Sequence, residues 1–303
     1  MSIAQAQRTA APRETDWSGY GAFAGASLIW GSTFLVITLS NEVLAPLWGA
    51  TLRLAIASVA LIAVALLTRA RLPRGGALRD VVLYGALQFG VNLALLYWGE
   101  QTVPSGITAV VFATAPLQTA LYSRLLGVEA IDRVKVLAAI VAVVGVAIIF
   151  AGQLGVGVPP IGLAAVFGAA TSAAIGVVLL HRAGSQSTWA VNAIGAPLGA
   201  GTCLLASLLL RERWTLPASL DQWWPVLYLA ILGSLGAYVF FTWLVGHWSA
   251  TTASFVGVVV PVIALALGAL FRAERPPLIS VAGAALVIAA VVVALTRSRS
   301  SAH

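Results

Sequence analysis

The sequence feature that most constrains this chain is a series of apolar runs, each long enough to cross a bilayer core. Gly19 to about Leu39 is the first, and at about 1.5 Å of rise per residue a helix of that length covers the hydrocarbon thickness. Ten such candidate spans follow one another, at 19–39, 46–68, 80–98, 104–125, 134–151, 159–181, 189–210, 224–245, 251–271 and 277–296. The breaks between them carry turn residues and charges, as in RARLPRGGALRD at 69–80, GQLGVGVPP at 152–160 and RERWTLPASLDQ at 211–222. No gap is large enough for a soluble domain.

Composition agrees with a lipid solvent. Hydrophobic residues make up 60% of the chain and charged residues 9%, against roughly 45–50% and about 25% in soluble domains. The net charge of +7 would suggest nucleic acid in a soluble protein, but here the basic residues sit in the short gaps between spans and act as topology signals. With the N-terminus in the cytoplasm, twelve cationic residues fall on inner segments and four, Arg211, Arg213, Arg272 and Arg275, on outer ones. That bias predicts both termini inside. The first run exceeds the roughly 7–15 apolar residues of a cleaved signal peptide and reads as a retained helix. The single Cys203 allows no intrachain disulfide.

The spans repeat. VVFATAPLQTALYSRLLGVE at 110–129 and FVGVVVPVIALALGALFRAE at 255–274 align Pro116 with Pro261 and Glu129 with Glu274 at an offset of 145. The same offset superimposes Ser27 on Ser172, Gly31 on Gly176, Trp98 on Trp243 and Leu125 on Leu270. The expected fold is therefore an all-α integral membrane protein of ten helices. It divides into a tail at 1–18, a first five-helix repeat at 19–151, a second at 159–296 and a tail at 297–303. Five is odd, so the second unit enters the membrane from the opposite side, and two inverted units enclosing one cavity are suited to alternating access. A mid-helix proline removes a backbone hydrogen bond and crowds the preceding turn. Pro116 and Pro261 are thus the expected hinges of the fourth and ninth helices, with a static kink as the alternative.

LIWGSTFL at 28–35, PLWGATLRLAIA at 46–57, LLYWGEQTVPSGITAVV at 95–111 and the proline-to-glutamate segments ending at Glu129 and Glu274 resemble the EamA-type branch of the drug/metabolite transporter superfamily. The resemblance covers about residues 19–296. It implies a secondary carrier of the bacterial inner membrane, often an exporter of amino acids or other small metabolites, working without a cofactor as a monomer or homodimer. The segment corresponding to LIWGSTFL in the second half, AAIGVVLL at 173–180, lacks the tryptophan.

Polar side chains inside spans are costly in lipid and face the bundle interior or water. Tyr84, Gln88 and Asn92 recur every four residues, one stripe of the third helix. With Trp30, Phe34, Thr108, Gln118, Tyr238 and Thr242 they form the expected substrate cavity, mostly apolar and aromatic with a few orienting groups. Helix packing is the competing role, above all for the threonines. Arg53 is the only charged residue well inside a span, and reads either as a structural pair with Glu42 or Glu100 or as a counter-ion for a substrate carboxylate. No Asp, Glu or His lies at a midplane, so a proton-coupled mechanism would fall to Glu100 near the outer mouth. His181 and His247 sit at inner boundaries, where solvated histidine is the simpler reading. A sugar, nucleotide-sugar or organic-phosphate carrier is the alternative substrate reading, although phosphates call for several inward cations. An intramembrane enzyme lacks its motifs, with no H-E-x-x-H and no G-x-S-x-G. Reporter tags on residues 1–18 and on 297–303 are expected to report the same, cytoplasmic face; tags on opposite faces would make the span count odd.

Overall fold

The computed structural model describes residues 16–271 and 276–300, excepting the side chains of residues 34, 35, 38, 271 and 297–300. Glu274 and its neighbours Arg272 and Arg275 lie outside that set. Among the described residues the chain is all helix, with no strand. The elements are α1 (Trp17–Asn41), α2 (Pro46–Leu67), α3 (Gly75–Tyr84), a π segment (Gly85–Val91), α4 (Asn92–Gly99), α5 (Ser105–Ala113), α6 (Ala115–Leu125) and α7 (Arg133–Ile149). After these come α8 (Pro160–Arg182), α9 (Thr188–Leu209), α10 (Leu220–Tyr228), a second π segment (Leu229–Gly236), α11 (Ala237–His247), α12 (Ala250–Ala253), α13 (Val256–Phe271) and α14 (Leu278–Ser300). By length and hydropathy, seven continuous helical stretches of the described residues are able to cross a membrane: 46–67, 75–99, 160–182, 188–209, 220–247, 250–270 and 278–296.

Local sequence sets the ends. Pro46 and Pro160 open α2 and α8 at the first turn, where a missing N–H is no loss and the fixed φ suits a helix. The Asp132 carboxylate accepts from Val134 N at 2.9 Å and Lys135 N at 3.4 Å to cap α7. Just past the ends of α2 and α9, Arg69 and Arg211 take left-handed φ values of 49° and 55°.

Two features were not foreseen from the sequence. The long helices at 75–99 and 220–247 each contain a π segment, and each is closed by an i to i−5 bond: Asn92 N–H to Leu87 O in the first, Ala237 N–H to Leu232 O in the second. Residues 87 and 92 stand 145 positions before 232 and 237, the offset of the repeat. The prolines, by contrast, are not equivalent. Pro116 lies in the first turn of α6, just after a break at Thr114, whereas Pro261 lies inside α13, several residues after a break at Ser254–Phe255.

Small residues allow the closest crossings, as expected where lipid supplies no hydrophobic drive between helices. A Cβ built on Gly283 of α14 would stand 2.6 Å from Gly145 O of α7, and one on Gly85 would stand 2.7 Å from Gly195 Cα of α9. Phe89 packs against Gly195 and Gly199, the two glycines of GAPLG at 195–199.

Glutamates tie segments that are distant in sequence. Glu212, beyond α9, accepts from Leu47 N at 3.2 Å and Trp48 N at 2.9 Å at the start of α2. At the other end of the bundle Glu129, beyond α6, accepts from Ala250 N and from Thr251 Oγ1 at the start of α12, the latter at 2.8 Å. His181 is part of this junction rather than simply solvated: Nδ1 lies 3.0 Å from Val245 O and Nε2 3.4 Å from Glu129. Arg182 next to it forms a two-pronged pair with buried Asp80, at 2.7 and 2.8 Å. His247 is exposed and stacks on Trp243. Because the α7–α14 crossing leaves no space for a side chain, Gly283→Val is expected to cost about 1–3 kcal/mol of overpacking. The check is a lower Tm of the purified variant in detergent, with Gly152→Val, whose Cβ meets nothing, as the silent control.

Candidate functional site

The first π segment supplies Gln88 to the lining of the central cavity, and the second holds two lining residues from behind, Trp30 and Arg53. A π turn sets a carbonyl outside the α-helical ladder, and such turns are frequent at functional sites. Trp30 Nε1 of α1 donates to Gly233 O in the second π segment at 3.3 Å. Ser172 Oγ of α8 donates to Leu87 O in the first at 2.8 Å. Trp30 also packs its ring on Tyr238 and Phe241, with centroids 5.2 and 5.0 Å apart. Tyr238 stacks in turn on Phe89 at 4.0 Å.

The cavity, of about 160 Å³, is walled mainly by apolar and aromatic groups, with Gln88, Asn92, Thr108, Thr119, Arg53 and Glu100 among its polar members. Arg53 is 3% exposed. Its Nε donates to Ser234 Oγ at 3.0 Å and its Nη1 to Tyr97 OH at 2.9 Å. Among the described residues it makes no ion pair, so the expected pairing with Glu42 or Glu100 is not what holds it. Two neutral hydroxyls fix the guanidinium, and its remaining donors have no acceptor among the described residues. The charge is positioned but not neutralised.

Along the same wall are unpaired acceptors. Gln88 Oε1, Asn92 Oδ1 and Glu100 Oε1 are buried and have no hydrogen-bond partner among the described residues. Asn92 spends one amide N–H on Gln88 O at 3.2 Å. Burial pushes the Glu100 carboxyl, just beyond α4, up to about 7.

The expected residues divide into three groups. Trp30, Gln88, Asn92, Thr108, Tyr238, Arg53, Glu100 and Pro261 line the cavity. Tyr84, Gln118, Thr242 and Pro116 do not. Tyr84 is fully buried and packs edge-on against Phe89, because the π segment between it and Asn92 adds residues to the turn and rotates the stripe. Gln118 uses both amide atoms in packing, donating to Thr114 Oγ1 at 2.9 Å and accepting from Thr171 Oγ1 at 2.8 Å. Thr242 accepts from Asn192 Nδ2 at 2.8 Å and donates to Tyr238 O. The side chain of Phe34 lies outside the described residues. Sequence reasoning missed Tyr97 and Ser234, the two residues that hold Arg53. A tyrosine hydroxyl inside a span was the available signal for the first; nothing marked the serine. Among the described residues no three His, Cys, Asp or Glu side chains are grouped to hold a metal.

Comparison with known proteins agrees with this architecture. The sequence profile of the EamA-like transporter family matches twice, at residues 17–151 and 160–296. The inner membrane transporter YedA of Escherichia coli (strain K12) is 33% identical over 254 residues, 82% of this chain and 81% of that protein. PecM of Dickeya dadantii is 30% identical, covering 81% of this chain and 82% of PecM. A probable terminal-alkyne amino-acid exporter of Streptantibioticus cattleyicolor is 26% identical, covering 86% and 88%. A protein of known crystal structure superimposes with a TM-score of 0.78 over 94% of this chain and 99% of its own at 21% identity, a likeness of fold. The apolar helices, the central cavity and the two profile matches together place this chain in the EamA-like transporter family, as a multi-pass protein of the bacterial inner membrane and not an enzyme.

Proposed function

We propose that this chain is a ten-span secondary carrier that exports amino acids with apolar side chains, or closely related compounds, by alternating access around the central cavity. The observation that carries the substrate reading is the unneutralised guanidinium of Arg53 in an otherwise apolar and aromatic chamber. A buried cation held only by hydroxyls favours an anion brought by the ligand, and a carboxylate meets a guanidinium well. Trp30, Phe112, Phe241 and Tyr238 supply an apolar wall for the rest of the molecule. A single cation suits one carboxylate better than a phosphate. The name of the Streptantibioticus relative points the same way.

Two inverted five-helix units, 19–151 and 159–296, with both termini cytoplasmic, are the proposed frame. Three observations support it: the double profile match, the π closures 145 residues apart, and the packing of α2 on α9 and of α7 on α14, second on seventh and fifth on tenth in the proposed order. In this frame the Glu129 junction lies at the cytoplasmic side and Glu100 toward the outside. Helices four and nine, with their breaks at Thr114 and Ser254–Phe255 and their prolines 116 and 261, are the proposed moving parts.

In a thermal-shift panel of purified protein, L-phenylalanine is expected to stabilise the wild type. Arg53→Lys is expected to fold and to lose about tenfold or more of that affinity, the value of one charge-assisted hydrogen bond. Unchanged affinity in this variant would remove Arg53 from the site. Replacing Pro116 and Pro261 together with alanine is expected to slow flux of reconstituted protein severalfold at equal surface expression; unchanged flux would remove the hinge role.

A further inference from the structure

Most buried polar atoms of a folded protein find a partner, and in a bilayer an unfilled one is costlier still. Gln88 and Asn92 line the cavity at 6% and 5% exposure, yet Gln88 Oε1 and Asn92 Oδ1 accept no hydrogen bond among the described residues. Both are carbonyl oxygens, which accept and never donate. The unpaired hydroxyls of Thr108 and Thr119 in the same wall do either, and so select no particular ligand group.

The backbone brings the two amides together. Asn92 follows Gln88 by four residues, within the π closure from Leu87 to Asn92, and side chains at that spacing are neighbours on one helix face, about 5–6 Å apart at Cβ. Asn92 Nδ2 donates to Gln88 O at 3.2 Å. That bond folds the Asn92 amide back over residue 88 and makes its oxygen the end without a donor. Glu100 stands apart from the pair, eight residues beyond Asn92 and so about 12 Å further along a helix. The guanidinium of Arg53 reaches the same rod through Tyr97, five residues beyond Asn92. One side of the cavity thus carries a donor pole, Arg53, and an acceptor pole, Gln88 with Asn92, next to the aromatic rings of Trp30 and Phe241.

We infer that Gln88 and Asn92 are the residues that read the α-substituent of the substrate: their two amide oxygens take N–H donors of an α-ammonium group whose carboxylate rests on Arg53. An ammonium brings three donors and no acceptor, so it fills both oxygens at once. A hydroxyl brings one donor and fills one of them, and a hydrogen fills neither. The amides carry no charge, so the subsite counts donors. The preference that follows is for α-amino acids over the matching 2-hydroxy acids, and for those over plain carboxylates. This rests on the cavity being the substrate site, and deepens that reading by naming what tells an amino acid from other carboxylates.

The test uses full-length protein in detergent and three ligands with the same phenyl ring and carboxylate: L-phenylalanine, L-3-phenyllactate and 3-phenylpropionate. The wild type is expected to bind them in that order, with about tenfold of affinity lost at each step, the scale of one hydrogen bond. Asn92→Leu and Gln88→Met keep the volume and remove the oxygen. Each should weaken L-phenylalanine by about tenfold and leave 3-phenylpropionate within about twofold, whereas a purely structural amide would weaken both alike. Arg53→Lys should weaken all three and keep their order. If one amide variant fails to fold the other carries the comparison, and the wild-type series needs neither. A 3-phenylpropionate or a 3-phenyllactate that binds the wild type as tightly as L-phenylalanine, or equal weakening of both ligands in the amide variants, overturns the subsite and leaves Arg53 and the cavity in place. If neither L-phenylalanine nor 3-phenylpropionate binds the wild type, the cavity reading falls and the subsite with it.

Discussion

A backbone carbonyl that leaves the helical ladder inside a bilayer has no water to bond, so the protein itself must supply a donor. In both long π-containing helices of this chain a carbonyl of the π segment accepts from a side chain of a neighbouring helix: Leu87 O, which also closes the π turn with Asn92 N–H, from Ser172 Oγ, and Gly233 O from Trp30 Nε1. These two bonds bring α8 and α1 against the wide turns. They also seat Trp30 at the cavity wall, where its ring meets Tyr238 and Phe241. The second π segment places Ser234 against Arg53. Two irregular turns, each bonded to a side chain of a neighbouring helix, thus help set Trp30 and Arg53 in the cavity wall.

Electrostatics then gives the cavity its character. Placing an arginine deep in a span is costly, and here the cost is not offset by an acid. Ser234 and Tyr97 orient the guanidinium from two different helices while leaving its charge intact. Glu100, in the same chamber, is kept apart from that cation, and its burial favours the neutral form.

The frame is repeated but the chemistry is not. The π closures keep the 145-residue offset, yet the positions 145 beyond Arg53, Asn92 and Glu100 are Leu198, Ala237 and Val245. Symmetry is retained where the backbone must bend. It is absent among the side chains of the cavity wall, where Arg53, Asn92 and Glu100 have apolar counterparts. The prolines show the same divergence, Pro116 opening a helix and Pro261 lying within one.

Much of the fold was legible in the residues. Run length selected lipid as the solvent, and the Pro116 and Pro261 segments revealed the repeat. The mid-span amides Gln88 and Asn92 and the lone Arg53 border the cavity, since such groups are too costly to face lipid. Tyr84, Gln118 and Thr242 misled, because an amphipathic stripe assumes an unbroken α-helix and because threonine and glutamine serve equally well in helix packing. What the sequence by itself determined is where the chain enters and leaves an apolar solvent, for that depends on composition along a line. Only the tertiary structure decided which face of each helix lines the cavity and which hydroxyls hold Arg53. In a bilayer the outward and inward faces of a helix are both apolar, so the pattern along the chain does not distinguish them, and a single π turn rotates every side chain beyond it.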